Sequence, residues 1–97
     1  MSKVEWERTY YNDDSTLYKE TPLVNGQIHG VLKYYYRNGQ CNFKIPYANG
    51  LLHGVESIYR WNGALKEQRI WVNGSLRNDL LGDEHRLKRL ILLGGEA

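Results

Sequence analysis

Ninety-seven residues, 41% of them hydrophobic and 25% charged, allow one domain with a thin core. A formal charge of +2 is too small to single out nucleic acid as a partner, and the lone Cys41 excludes an internal disulfide. No run approaches the ~18–20 apolar residues of a membrane span, and Met1 to Arg8 lacks the apolar core of a secretion signal, so a cytoplasmic setting is expected.

In chain order, the first recurring feature is the pair Asn25-Gly26. It returns at Asn38-Gly39, Asn49-Gly50, Asn62-Gly63 and Asn73-Gly74, with spacings of 13, 11, 13 and 11. One unit therefore repeats every 24 residues. Asn-Gly marks a tight turn between strands because both residues tolerate positive φ. The sequence predicts an array of β-hairpins.

Ahead of the first pair lies a partial copy. Tyr11 aligns with Tyr35, Leu17 with Cys41, and Leu23 to Gly26 with Tyr47 to Gly50. Its turn is Asp13-Asp14-Ser15, which has turn chemistry without glycine. In the next two units a first strand is expected over 31–36 and 55–60, and a second over 40–47 and 64–72. Cys41, Phe43, Ile45 and Tyr47 alternate with Gln40, Asn42 and Lys44, a two-residue period that predicts one apolar face. The equivalent Leu65, Glu67, Arg69 and Trp71 interrupt that face with an acid and a base. Pro46 has no N–H and should stand where its nitrogen meets no ladder partner.

From Leu80 onward the period changes. Leu87, Leu90 and Ile91 follow helical spacing, Asp83 is a candidate N-cap and Gly94-Gly95 a stop. The expected organisation is one domain over 1–97, with repeats at 11–78 and a helix over 82–93. That helix would cap the open end of a single-layer antiparallel sheet, leaving Arg86, Lys88 and Arg89 exposed. The fold class is mainly β.

Gly-x-x-x-x-Tyr, Asn-Gly and Asn-Gly-x-x-His-Gly, carried by residues 25–31, 35–39, 49–55, 59–63 and 73–74, resemble the MORN repeat in its bacterial variant form. That variant occurs in small YwqK-like antitoxins. The resemblance covers roughly residues 11–78 and implies an array of antiparallel hairpins. For function it implies little, since MORN arrays serve in scaffolds, membrane-associated proteins and proposed antitoxins.

Each chemical feature has a bland counterpart. His29, His53 and His85 suggest metal ligands, yet residues equivalent between repeats sit two strands, ~10 Å, apart. A turn-bracing role fits the first two better, and no metal or other cofactor is expected. Cys41 on an apolar strand face reads as a small hydrophobe rather than a nucleophile. No nucleophile, base and orienting group recur at an informative spacing, so the chain is not expected to be an enzyme or to take a small-molecule substrate. The run Lys33 to Arg37 mixes bases with aromatics, but alternation divides them between two faces, which makes nucleic acid a minor reading.

The leading expectation is a non-catalytic module that docks on a protein partner, as an antitoxin on a toxin or a phage-type inhibitor on a host defence complex. Tyr34, Tyr36, Arg37, Arg60 and Trp61, near the hairpin tips, are the candidate contacts, because Tyr, Trp and Arg dominate interface energetics. The alternative is a membrane-surface adaptor, with α-helical leucines inserted and bases on acidic headgroups. A free sheet edge would also allow oligomerisation.

Overall fold

The computed structural model describes residues 3–12 and 15–92. The strands are β1 (Glu5–Tyr10), β2 (Leu17–Val24), β3 (Gln27–Ile28), β4 (Gly30–Tyr35), β5 (Cys41–Ala48), β6 (Leu51–Leu52), β7 (Gly54–Tyr59), β8 (Leu65–Val72) and β9 (Ser75–Leu76). A 3-10 turn at Asn78–Leu80 and the helix α1 (Glu84–Leu92) follow. All nine strands form one open antiparallel sheet in the order β1-β2-β4-β5-β7-β8-β9, with β3 paired to β2 and β6 to β5. The fold is mainly β, a single layer of repeated hairpins with a short C-terminal helix.

The five Asn-Gly pairs do not all make the same turn. Asn25, Asn49 and Asn73 have φ of 52°, 50° and 48°, and the glycine after each is also left-handed. These are two-residue connections with positive φ at both positions, joining β2 to β3, β5 to β6 and β8 to β9. At Asn38-Gly39 and Asn62-Gly63 only the glycine is left-handed. There Gly39 N donates to Tyr36 O at 3.0 Å, Tyr36 N to Gln40 O at 2.8 Å, and the Asn38 side chain accepts from Gln40 N at 2.9 Å. That pattern is a type I turn closed by one left-handed residue. Two turn chemistries thus alternate along each unit.

The expected apolar face of β5 is broken by a bulge. Tyr34 pairs with Phe43, but the next residue, Tyr35, pairs with Cys41. Asn42 is the extra residue, and Cys41 therefore faces away from Phe43, Ile45 and Tyr47. The same shift occurs at Tyr59↔Leu65, with Lys66 as the extra residue, so Leu65 is separated from Glu67, Arg69 and Trp71. Register then defines two faces. Lys19, Tyr34, Phe43, Ile58 and Glu67 line the aromatic face. Arg8, Glu20, Lys33, Lys44, Ser57 and Gln68 line the basic face.

The first copy is offset from the others by one residue. Tyr11 N bonds Thr16 O across five positions, where Tyr36 N bonds Gln40 O across four. Tyr10, not Tyr11, is therefore the counterpart of Tyr35, as its pairing with Leu17 shows. The expected turn residues Asp13 and Asp14 lie outside the described residues. The hairpin also begins earlier than position 11, since β1 supplies its first strand.

Pro22 and Pro46 sit where the ladder changes partner, from β3 to β4 and from β6 to β7. His29 N and His53 N bond Pro22 O and Pro46 O at 3.1 and 3.0 Å. Ile70 takes the same place in the third unit and does carry an N–H. The Asn78 side chain accepts it at 3.1 Å. Proline thus removes a donor that would otherwise need a partner.

The buried apolar cluster lies at the C-terminal end, formed by Ile70, Val72, Leu80 and Leu90 with Leu87 packed against it. The helix starts at Glu84 rather than 82, because Gly82 is left-handed at φ 86° and Asp83 is the cap. Asp83 Oδ1 accepts from Arg86 N at 3.1 Å. Arg86, Lys88 and Arg89 are exposed. The expected stop at Gly94-Gly95 lies outside the described residues.

Candidate functional site

The hairpin tips on one side of the sheet are tied together through side chains. Tyr11 Oη donates to Tyr35 O at 2.6 Å, and Tyr36 Oη donates to Tyr59 O at 2.7 Å. Asn38 Nδ2 adds a bond to Trp61 O at 2.9 Å. Each tip is thereby held against the next. On the opposite side of the array the histidines do equivalent work. His29 Nδ1 accepts from Asn49 N and His53 Nδ1 from Asn73 N, both at 3.0 Å. Through its accepting Nδ1 each ring braces the following Asn-Gly turn. His85 stands apart on the exposed side of α1. Among the described residues no three His, Cys, Asp or Glu side chains are grouped to hold a metal.

Of the five expected contact residues, the structure brings three together. Tyr36, Arg60 and Trp61 line a shallow open depression with Lys66, which sequence reasoning missed. Trp61 is 68% exposed, the most of any large hydrophobic side chain described. Lys66 reaches the depression because it is the extra residue of the β8 bulge, and the sequence carries no mark of that bulge.

The other two are placed differently. Tyr34 is one member of an edge-to-face row, Tyr11–Tyr18–Tyr34–Phe43, with ring centroids 5.1, 5.5 and 5.9 Å apart. Lys19 Nζ lies 5.4 Å from its centroid. The Arg37 guanidinium lies 4.6 Å over the Tyr11 ring and lines a separate depression with Thr9, Tyr10, Asn12 and Tyr18. Its side chain leans to the preceding hairpin, away from Trp61.

The titratable groups inside the sheet have structural surroundings. Burial raises the Cys41 thiol above its ordinary range, and Lys44 and Lys33 offset this only in part. Its Sγ donates to Phe43 O at 3.4 Å, which suits a protonated thiol. Burial, and then the neighbouring Glu20 carboxylate, raise the Tyr35 phenol. The Glu56 carboxylate, missed in the sequence, is buried and accepts from Trp71 Nε1 at 2.8 Å. Arg69 lies 3.9 Å from it and 2.8 Å from Glu67, so the acid–base interruption of the aromatic face is a linked set.

Leu90 is buried and Leu87 half-buried against the sheet, so these leucines are already used within the fold. Among the described residues no helix is long and apolar enough to cross a membrane. A scan against protein-family models matches none, and searches of curated proteins and of solved structures find no significant match.

Proposed function

We propose that the chain is a non-catalytic, MORN-like module that docks on a protein partner in the cytoplasm and neutralises or regulates it, as an antitoxin or a phage-type inhibitor does. The observation that carries this reading is the tip depression. A large aromatic, Trp61, stands mostly in solvent beside Arg60, Lys66 and the half-buried Tyr36, on a backbone pinned by cross-hairpin bonds. Exposed Trp and Arg on a preordered surface are the side chains that anchor protein interfaces, and a rigid tip loses little entropy on docking. The repeated Asn-Gly and His-Gly motifs support the family resemblance through the bonds they make.

The test is a pull-down from the native host with wild type and a Trp61→Ala, Arg60→Glu double variant, both checked for unchanged melting. Capture of one protein by wild type and its loss in the variant is expected. Equal recovery by both removes the tip depression as the site. Co-sedimentation with anionic vesicles at low salt addresses the membrane alternative, since salt-sensitive binding there with no protein capture would replace the reading.

A further inference from the structure

The basic face carries a second surface that the tip depression does not include. Alternation along each strand places Trp6, Pro22, Val31, Pro46, Val55 and Ile70 on this face, and the pairs Trp6↔Pro22, Val31↔Pro46 and Val55↔Ile70 are in register. Together they form an apolar band crossing six strands, from β1 to β8, or ~24 Å at ~4.8 Å per strand. Among the described residues the band is covered at its C-terminal end and again at Pro22, which is buried. Ile70 is 1% exposed beneath Leu80, Leu87 and Leu90, while Val55, Val31 and Trp6 are 38%, 39% and 46% exposed. The open part runs into a cleft of ≈ 440 Å³ between α1 and the sheet, lined by Val55, Ile70, Leu81, Leu87, Gln68 and Glu84, with Gly82 at its end.

Charge decides what fits there. Beside the band runs a row in which Arg8 is bound to Glu20 at 3.1 Å, leaving Lys33 and Lys44 with no carboxylate within salt-bridge distance among the described residues. A second copy laid face to face would bring the same lysines toward one another. A helix is the shape already accommodated, since α1 seats its leucines on Ile70 at the covered end. We infer that the open band of the basic face binds an acidic amphipathic helix of a protein partner, its apolar stripe on Val31, Pro46 and Val55 and its carboxylates on Lys33 and Lys44. The open stretch from Val31 to Val55, ~10 Å, takes about six helical residues at 1.5 Å each.

The probe is a synthetic amphipathic peptide of leucine and glutamate, with a leucine–lysine counterpart, titrated into the isotope-labelled full chain and followed by amide chemical shifts. Saturable shifts at Val31, Lys33, Lys44 and Val55 are expected with the acidic peptide alone. Lys33→Glu with Lys44→Glu should weaken it about tenfold, two exposed ion pairs being worth roughly 1–2 kcal/mol together. Because Lys33 and Lys44 are solvent-reached, that variant should keep the wild-type circular dichroism spectrum. Trp61→Ala should leave the titration unchanged, so failure of this inference is separable from failure of the tip site. Equal binding of both peptides, or no saturable shift at millimolar peptide, overturns it. So does binding to anionic vesicles without peptide binding, or a concentration-dependent dimer in sedimentation that Val55→Asp abolishes.

Discussion

The two ends of the array are built differently. At the N-terminal end every residue of β1 is exposed, and among the described residues no element covers either its edge or Trp6. At the C-terminal end Ile70, Val72, Leu80 and Leu90 are enclosed between β8, the 3-10 turn and α1. Between them the sheet is one layer thick, and neighbouring hairpins are joined by backbone ladders and by side-chain bonds such as Tyr36 to Tyr59. Hydrophobic stabilisation is therefore concentrated at one end. The other end is held by its ladder to β2 and by charges, Glu5, Glu7 and Arg8, that discourage edge-to-edge pairing.

The sharpest way to break that contrast is Leu80→Ala, which empties a fully buried site and should cost about 2–5 kcal/mol. Trp6→Ala at the open end should stay within about 0.5 kcal/mol. Urea midpoints give both values, and equal losses would mean that the ends are not different in kind. Next in size is Gly54→Val. An added Cβ there meets Pro46 Cβ at 2.9 Å on a backbone with φ +129°, so packing conflict adds to conformational strain. At Gly39 nothing lies within 4 Å, and Gly39→Val should show the strain alone, about 1–3 kcal/mol. If the two cost the same in thermal melts, the proline contact is not what limits position 54.

Tyr36→Phe removes one cross-hairpin bond and should cost about 0.5–1.5 kcal/mol, with amide exchange rising around Tyr59 if the tie is local. The smallest effect is alkaline. The Cys41 thiol and Tyr35 phenol are both raised in the folded state, so folding favours their protonated forms. Their contribution is complete below the unfolded values, about 8.5 and 10, and fades as pH climbs through and beyond them. Stability measured from pH 7 to 11 should fall, and Cys41→Ser with Tyr35→Phe should flatten the decline. Both groups are only half-buried, which keeps the effect modest.

The hairpin array could be read directly from the chain, because Asn-Gly at a 24-residue period has few other physical meanings. Asp83, Leu87 and Leu90 likewise announced a capped helix. β1 was not visible, since its turn contains no glycine and its residues, all exposed, show no one-sided apolar pattern. The bulges at Asn42 and Lys66 were invisible for a related reason. A strict two-residue alternation through Cys41 and Phe43 looks the same whether or not one residue is extra, and only pairing with the neighbouring strand reveals it. This hid the basic face, whose members come from six strands that meet only through register. Trp61 was legible as an exposed aromatic, whereas the sequence does not show to which neighbouring hairpin a tip side chain such as Arg37 leans.

The side-chain bonds to backbone described between hairpins point one way. Tyrosines and histidines of an earlier unit reach the backbone of the later one, and the last tip carries Arg60 where a tyrosine stood before. Losing a unit from the front would return a carbonyl and an amide to water and take Glu20 from the Tyr35 hydroxyl and the Tyr11 ring from Arg37. Losing one from the back would remove the buried cluster of Ile70, Val72, Leu80 and Leu90 and leave donors without targets. The trailing end, which holds the buried cluster, is therefore the costlier of the two to remove.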